Sequence, residues 1–247
     1  MRKLVIDIEC SPNLAYVWNL WNQNIGISQI EETGSVMSFA AKWHGAKNVM
    51  FYSDYHDGHE EMVKQAHRLL SEAEALIHYN GKAFDVKHLQ REFLLAGLEP
   101  ASPHVDIDLL QTVRKQFKFA SNKLDFIAQQ LGLGAKTQHT GFDLWLKCIA
   151  NDEKAWALMK RYNKQDVKLT EALYDKLLPW IPNHPNASVY DERPEGCVKC
   201  GSYNLKANGW RATSTMRYRR LQCSDCGSWM RGRTSEHSAK PNYVSDL

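Results

Sequence analysis

The sequence predicts an α/β domain, a mixed β-sheet flanked by helices, followed by a small C-terminal module organised by cysteines. Three observations carry this. Short β-branched runs give way to alternating strand and helix patterns after about residue 57, a proline-rich stretch interrupts the chain near residue 180, and two Cys-x-x-Cys pairs lie beyond it. A chain of 247 residues is long enough for one well-buried domain and one appendage. Hydrophobic content of 43% and charged content of 24% are ordinary, and no run approaches the ~18 apolar residues of a membrane span, so no membrane partner is expected. Asp7 and Glu9 interrupt the N-terminal apolar run too early for a signal-peptide core. The expected setting is therefore reducing and cytoplasmic, the host cytoplasm for a viral protein.

The elements follow in order. Lys3–Cys10 reads as a buried strand, and Val36–Ala41 and Asn48–Tyr52 as two more, so the sheet should start antiparallel. Helical spacing begins near Asp57 and runs through Met62, Ala66 and Leu69. A strand at Ala75–Tyr79, a helix through Leu89 and Phe93, and a strand at His104–Ile107 come next. From Leu109 to Leu178 the pattern is helical, with breaks at Gly132–Gly134 and Gly141. Pro179, Pro182, Pro185 and Pro194 among Asn and Ser residues mark a linker, giving expected domains at 1–180 and 197–240 with the linker at 181–196. Charge divides the same way. Residues 197–240 carry nine Lys/Arg against two acids, whereas residues 1–196 carry 22 against 25, so the tail suits a polyanion.

Three acidic motifs carry the chemistry. Asp7 and Glu9 share one face of the first strand, where like charges in an apolar run are costly unless a hard cation sits between them. A strand end facing solvent is the plainer alternative. Asp166 falls on the inward stripe of Met159, Tyr162, Leu169 and Leu173, and no cation stands three or four residues away to neutralise it. Tyr162 lies one turn earlier on that face, so its hydroxyl and the carboxylate can address a common target. The third motif, Asn80-Gly81-Lys82-Ala83-Phe84-Asp85, sits where a strand turns into a helix, and Asp85 could equally be a first-turn acid favoured by the helix dipole.

Together these residues resemble the DEDD (DnaQ-like) 3′→5′ exonucleases of the ribonuclease H-like superfamily. Asp7-Ile8-Glu9 is similar to the first motif, Asn80 through Phe84-Asp85 to the second, and Tyr162-Asn163-Lys164-Gln165-Asp166 to the third. Tyr162 places the chain with the tyrosine subclass, as in family B DNA polymerase proofreading domains, since the other subclass needs His where this chain has Arg161. The resemblance spans residues 1 to about 178 and no polymerase domain follows. It implies a ribonuclease H-like fold and two Mg²⁺ or Mn²⁺ ions, with Asp7 bridging them, Glu9 and Asp166 completing one site, and Asp85 holding the other partly through water. Tyr162 would position the attacking water. It also implies single-stranded 3′ ends as substrate, DNA favoured, with Asn80 contacting the strand and 5′-mononucleotides released.

Cys197-x-x-Cys200 and Cys223-x-x-Cys226 fit a four-thiolate structural zinc site, with Gly201 and Gly227 free to adopt the positive φ that wraps a loop round a metal. The module resembles the zinc ribbons of transposition and transcription proteins. Its strand Met216–Leu221 puts Arg217 and Arg219 on one face and Tyr218 and Arg220 on the other. With Trp210, Arg211, Trp229 and Arg231 these suit phosphate contact and base stacking, although a replication or repair protein is an alternative partner. Cys10 and Cys148 are expected to be buried as small apolar residues.

Other signals carry less. His56 and His59 read as a polar loop leading into a helix, and Gly132–Thr137 lacks the glycine before Lys136 that a phosphate loop needs. Trp18 and Trp21 follow the first motif closely enough to stack on a terminal base or, equally, to pack in the core. A non-catalytic nucleic-acid-binding adaptor and an RNA-directed exoribonuclease are the alternative functions. A transposase-like nuclease would not use a second carboxylate two residues after the first, and Asp106 reads as structural.

Overall fold

Strand β1 (Lys3–Cys10) is the axis of the larger unit, and its alternation of faces decides where everything else goes. Leu4, Ile6 and Ile8 point to one side and are buried with Met62, Ala66 and Leu69 of α2 (His59–Glu72) and Leu89 and Phe93 of α3 (Asp85–Leu95). Val5, Asp7 and Glu9 point to the other. There Met37 packs with Leu144 and Cys148 of α6 (Phe142–Ile149) and Trp156 and Met159 of α7 (Glu153–Leu177).

This computed structural model describes residues 1–190 and 194–235. They divide into two compact units, Arg2–Tyr174 and the described residues from Asp175 onward, so the last turn of α7 belongs with the C-terminal unit. The larger unit holds a five-stranded sheet in the order β5-β4-β1-β6-β7. β4 (Val36–Trp43) and β5 (Met50–Ser53) join antiparallel, and β6 (Ala75–His78) and β7 (Val105–Asp108) join parallel, which makes the sheet mixed as expected. A short hairpin of β2 (Leu14–Ala15) and β3 (Ile30–Glu32) leaves the end of β1. Helices α1 (Asp54–Asp57), α4 (Leu109–Gln116) and α5 (Leu124–Gln130) complete the unit. His56 lies in α1 and its amide donates to Ser53 Oγ at 3.1 Å, while His59 opens α2 beside Asp54, so neither belongs to a loop metal site.

In the C-terminal unit, α8 (Ala187–Tyr190) falls within the stretch read as linker, and a three-stranded antiparallel sheet follows in the order β10-β9-β8. Its strands are β8 (Leu205–Ala212), β9 (Arg217–Cys223) and β10 (Trp229–Ser235). Linker residues 191–193, and Glu236 and Lys240 of the expected ribbon, lie outside the described residues. The Lys199 ammonium donates to the carbonyls of Leu178, Pro179 and Ile181 at 3.0, 2.8 and 2.7 Å, which satisfies acceptors that the end of α7 leaves open.

The β6–α3 turn is built by one close approach. The Gly81 amide donates to His78 Nδ1 at 3.0 Å, and a Cβ on Gly81 would lie 2.5 Å from His78 Cγ. The other ring nitrogen, Nε2, meets Asp106 Oδ1 at 3.2 Å, while Asp108 accepts from the Asn80 amide at 3.0 Å. Asn80 itself takes φ +70°, a conformation Asn tolerates. Gly81→Ala should therefore destabilise the protein by about 2–3 kcal/mol, as overpacking does. Combined with His78→Ala it should cost clearly less than the two single losses added, measured by denaturant unfolding.

Candidate functional site

The parallel pairing of β1 with β6 stops at Val5 and Ile77, so the strands part where Asp7 begins. Into that gap comes the β6–α3 turn, and Asp85 Oδ1 accepts the Ile8 amide at 3.1 Å, supplying the partner that a strand would have offered. Asp85 thus sits at the first position of α3 but bonds to β1 rather than capping its own helix. Across the other edge of β1, Asp7 and Glu9 stand opposite Ala40 and Ser38, side chains small enough to leave room.

Helix α7 supplies the far wall, with Met159, Tyr162, Leu169 and Leu173 all buried and Asp166 only 1% exposed, as the inward stripe predicts. One carboxylate oxygen each from Asp7, Glu9 and Asp166 lie within 4.8 Å of one another. Asn163 Nδ2 binds both Asp7 Oδ2 at 2.7 Å and Asp7 carbonyl oxygen at 3.1 Å, locking α7 to β1 at the carboxylates.

No cation stands three or four residues from Asp166, as expected, and its charge is met from a loop elsewhere in the chain. Asp166 has a cationic partner, Lys136, whose Nζ also reaches the Tyr162 hydroxyl at 3.2 Å. The lysine comes from the loop after α5, thirty residues away in sequence, so a search at helical offsets could not find it. That loop is the Gly132–Thr137 stretch, unfit for a phosphate loop but held in place by the Lys136 amide on Asp125 Oδ1 at 2.7 Å and Gln165 on the Ala135 carbonyl at 3.3 Å. Its signal in the sequence was only a lone lysine between two glycines and the third motif.

The electrostatics follow from burial. Desolvation, then Glu9, Asp85 and Asp166, push the Asp7 carboxyl well above the usual carboxylate range, with Lys136 opposing. Burial and Asp166 raise Glu9 to about 8. Burial raises Asp85 to about 6 against the pull of His78 and the Ile8 amide. Asp166 is raised by burial despite Lys136 and Tyr162. Burial alone would lower Lys136, but Asp166 and Tyr162 outweigh it and hold the ammonium charged. Asp166 Oδ1 and Asn163 Oδ1 are buried without a hydrogen-bond partner. Clustered carboxylates whose burial favours the neutral form, with a buried Asp166 oxygen that has no hydrogen-bond partner, fit a site for hard divalent cations.

Cavities of about 590 and 340 Å³ flank the carboxylates. The larger is walled by Cys10, Phe84, His88, Arg91 and Trp145, and the smaller lies between Asp7, Lys123 and Lys136. Cys148 is buried as expected, whereas Cys10 is only half-buried and forms part of that wall. Tyr162 is fixed by rings, with His139 at 4.8 Å and Trp145 at 6.1 Å between centroids.

The four remaining cysteines form a second cluster, their sulfurs within 4.8 Å of one another. Cys197–Cys226 and Cys200–Cys223 Sγ atoms are 3.6 Å apart, too far for a disulfide and close to the ~3.8 Å of thiolates bound tetrahedrally at ~2.3 Å. The two knuckles are copies. Gly201 and Gly227, both at positive φ, donate to the Cys197 and Cys223 carbonyls at 2.8 and 3.0 Å. Among described residues from 194 onward, the only buried apolar side chains are Cys197 and Cys223, so this sheet has little hydrophobic core of its own, and its four thiols could hold a metal ion.

On the sheet, the alternation holds. Arg217 and Arg219 stack over Trp210 at 4.2 and 5.3 Å, while Arg220 lies over Trp229 at 4.8 Å and Arg231 over Tyr218 at 4.2 Å. Arg211 pairs in register with Tyr218 and is exposed, as is Asn80 in the larger unit.

Comparison with known proteins bears on the larger unit. Among solved structures, RNase D of Trypanosoma brucei is similar at 14% identity and a TM-score of 0.45, over 74% of this chain and 58% of that one. The chain therefore spans less than two thirds of that protein's length. No curated protein matches. The RNase H superfamily model matches residues 25–178, beginning after the Asp7–Glu9 pair and reaching through the second and third motifs to the end of α7. With more than half the chain matched and a mixed sheet carrying carboxylates where its strands part, this protein belongs to the RNase H superfamily.

Proposed function

We propose that the chain is a metal-dependent 3′→5′ exonuclease that hydrolyses nucleic acid from its 3′ end, with Asp7, Glu9, Asp85 and Asp166 as the cation ligands. The observation that carries this reading is the convergence of three sequence-distant motifs on one buried patch, where Asp7, Glu9 and Asp166 offer oxygens within 4.8 Å and Asp85 is held against the same strand. A scaffold without catalysis has no physical use for four clustered acids, two of them buried, whose neighbours raise the Asp7 and Glu9 carboxyls. Mg²⁺ or Mn²⁺ suits an all-carboxylate donor set, and when bound it supplies activation of water and neutralisation of charge on the phosphoryl group.

The side chains divide the remaining work. Tyr162, clamped between His139, Trp145 and Lys136, presents a hydroxyl beside Asp166 that can hold a water in line for attack. The Lys136 ammonium supports anionic charge at that spot, and Asn163 keeps the Asp7 carboxylate from rotating. Phe84 and Trp145, on the wall of the larger cavity, offer ring faces to a terminal base. In the C-terminal unit, Cys197, Cys200, Cys223 and Cys226 hold one Zn²⁺, and Trp210, Arg211, Arg217, Tyr218, Arg219, Arg220 and Arg231 contact the nucleic acid.

Asp7→Asn and Asp166→Asn should each abolish release of mononucleotides from a 3′-labelled oligonucleotide while the protein stays folded, since each removes a charged ligand and keeps the shape. A parental rate in either variant, with circular dichroism unchanged, refutes the assignment. Tyr162→Phe keeps the ring and deletes the hydroxyl, so single-turnover rates should drop by roughly ten- to a thousandfold with Mn²⁺ binding retained. Stability should carry the same signature. Glu9 and Asp85 have folded-state pKa values raised to about 8 and about 6, so their contribution is complete below pH ~4 and is lost as pH rises through those values. In chelator, the unfolding midpoint of the larger unit should fall between pH 5 and 8.5, and added Mg²⁺ should restore it more at pH 8 than at pH 5. A flat profile means that the acids are not mutually strained.

A further inference from the structure

Residues 16–29 leave the core between β2 and β3 and expose almost every apolar side chain they carry. Trp18 is 92% exposed, Trp21 82%, Leu20 83% and Tyr16 72%. Core packing, one of the two roles open to these tryptophans from sequence, is thereby ruled out. This excursion has a built root. Tyr16 and Gln29 exchange a backbone bond at 2.9 Å and a side-chain bond at 2.9 Å, and Asn13 accepts the Gly34 amide at 2.7 Å. Gly34 passes so close to Ser11 that a Cβ would sit 2.1 Å from its carbonyl oxygen. Arg91 of α3, the helix that begins with Asp85, donates to the Gly34 carbonyl at 2.8 Å. The arm is thus fastened to the same helix that positions a carboxylate of the site.

Its chemistry is unusual for a surface. No residue from Ser11 to Gln29 carries a charge, and Tyr16, Trp18 and Trp21 alternate with the amides of Asn19, Asn22, Gln23 and Asn24. Phosphates would call for Lys or Arg, which are absent. A protein groove takes an apolar stripe and leaves amides unexplained. Nucleobases need both features, flat faces for rings and donor–acceptor edges for amides, and they are uncharged. Continuity with the site points the same way, because Ser11, Pro12, Asn13 and Gly34 at the root form one wall of the 590 Å³ cavity beside the carboxylates.

We propose that this arm grips the unpaired bases adjoining the strand end at the carboxylates, with Trp18 and Trp21 as stacking surfaces, so that the protein selects single strands through bases rather than phosphates. This rests on the nuclease reading given above. The test uses full-length protein with Ca²⁺ in place of the catalytic cation, and two probes of equal charge: a 12-mer oligothymidylate and a 12-mer of abasic tetrahydrofuran phosphodiesters. Trp18→Ala/Trp21→Ala should weaken oligothymidylate binding about ten- to a hundredfold and leave the abasic chain unaffected, whereas Trp18→Phe/Trp21→Phe should keep most of the affinity. Equal loss on both probes, no loss on either, or a phenylalanine variant as weak as the alanine one overturns the proposal. So does a change from dimer to monomer in sedimentation with oligothymidylate binding unaltered, which gives the arm to a second copy of the chain. Failure of the unmodified protein to hydrolyse thymidine 5′-monophosphate p-nitrophenyl ester with Mn²⁺ would sink the nuclease reading alone, since base-selective binding is measured apart from it.

Discussion

Mutual repulsion among buried carboxylates is the constraint that the larger unit is arranged around. Asp7 and Glu9 are placed together by the pleat of one strand, and Asp166 and Asp85 are brought to them from α7 and from the β6–α3 turn. Three of the four are given a specific donor, each from a different element: Asn163 for Asp7, the Ile8 amide for Asp85, and Lys136 for Asp166. The compensation is incomplete, since Asp166 Oδ1 has no partner and Glu9 is raised to about 8. The parting of β1 from β6, the register of α7 and the pinned loop that carries Lys136 all read as consequences of housing this charge.

The C-terminal unit solves a different problem. A three-stranded sheet whose one buried apolar side chain among the described residues is Cys223 has little hydrophobic reason to fold, and the symmetric knuckles gather four thiols where a core would be. Lys199, between the first two cysteines, ties that knuckle to the segment after α7 through three carbonyls, so the thiol cluster and the helix terminus belong to one compact body.

What the sequence made legible was whatever local periodicity encodes. The two-residue spacing of Asp7 and Glu9, the helical stripe holding Tyr162 and Asp166, and the paired cysteines each announce a shared face or a shared ligand. The five strands of the larger sheet were recovered to within a few residues because apolar alternation is a local property, whereas β2, β3, α1, α8, β8 and β10, short or polar, gave no period to read. Lys136 was invisible for the opposite reason. It acts across thirty residues, and nothing in Gly-Ala-Lys-Thr reveals which helix the loop will lie against. Trp18 and Trp21 were ambiguous because hydrophobicity alone does not say whether a ring is covered, and no helix or strand pattern surrounded them to decide it.

The stacking of arginines on both faces of the C-terminal sheet has an entropic meaning. A free arginine samples many rotamers and must be frozen when it meets an anion, but Arg217, Arg219, Arg220 and Arg231 already lie flat on Trp210, Trp229 and Tyr218. A guanidinium held by its face is fixed in one plane, and Arg220 and Arg231 are fixed further by N–H donation to the Asn208 and Gly232 carbonyls at 2.7 and 3.3 Å. Little rotamer entropy remains to be lost when such a guanidinium meets an anion, so the stacking lowers the cost of any contact this surface makes.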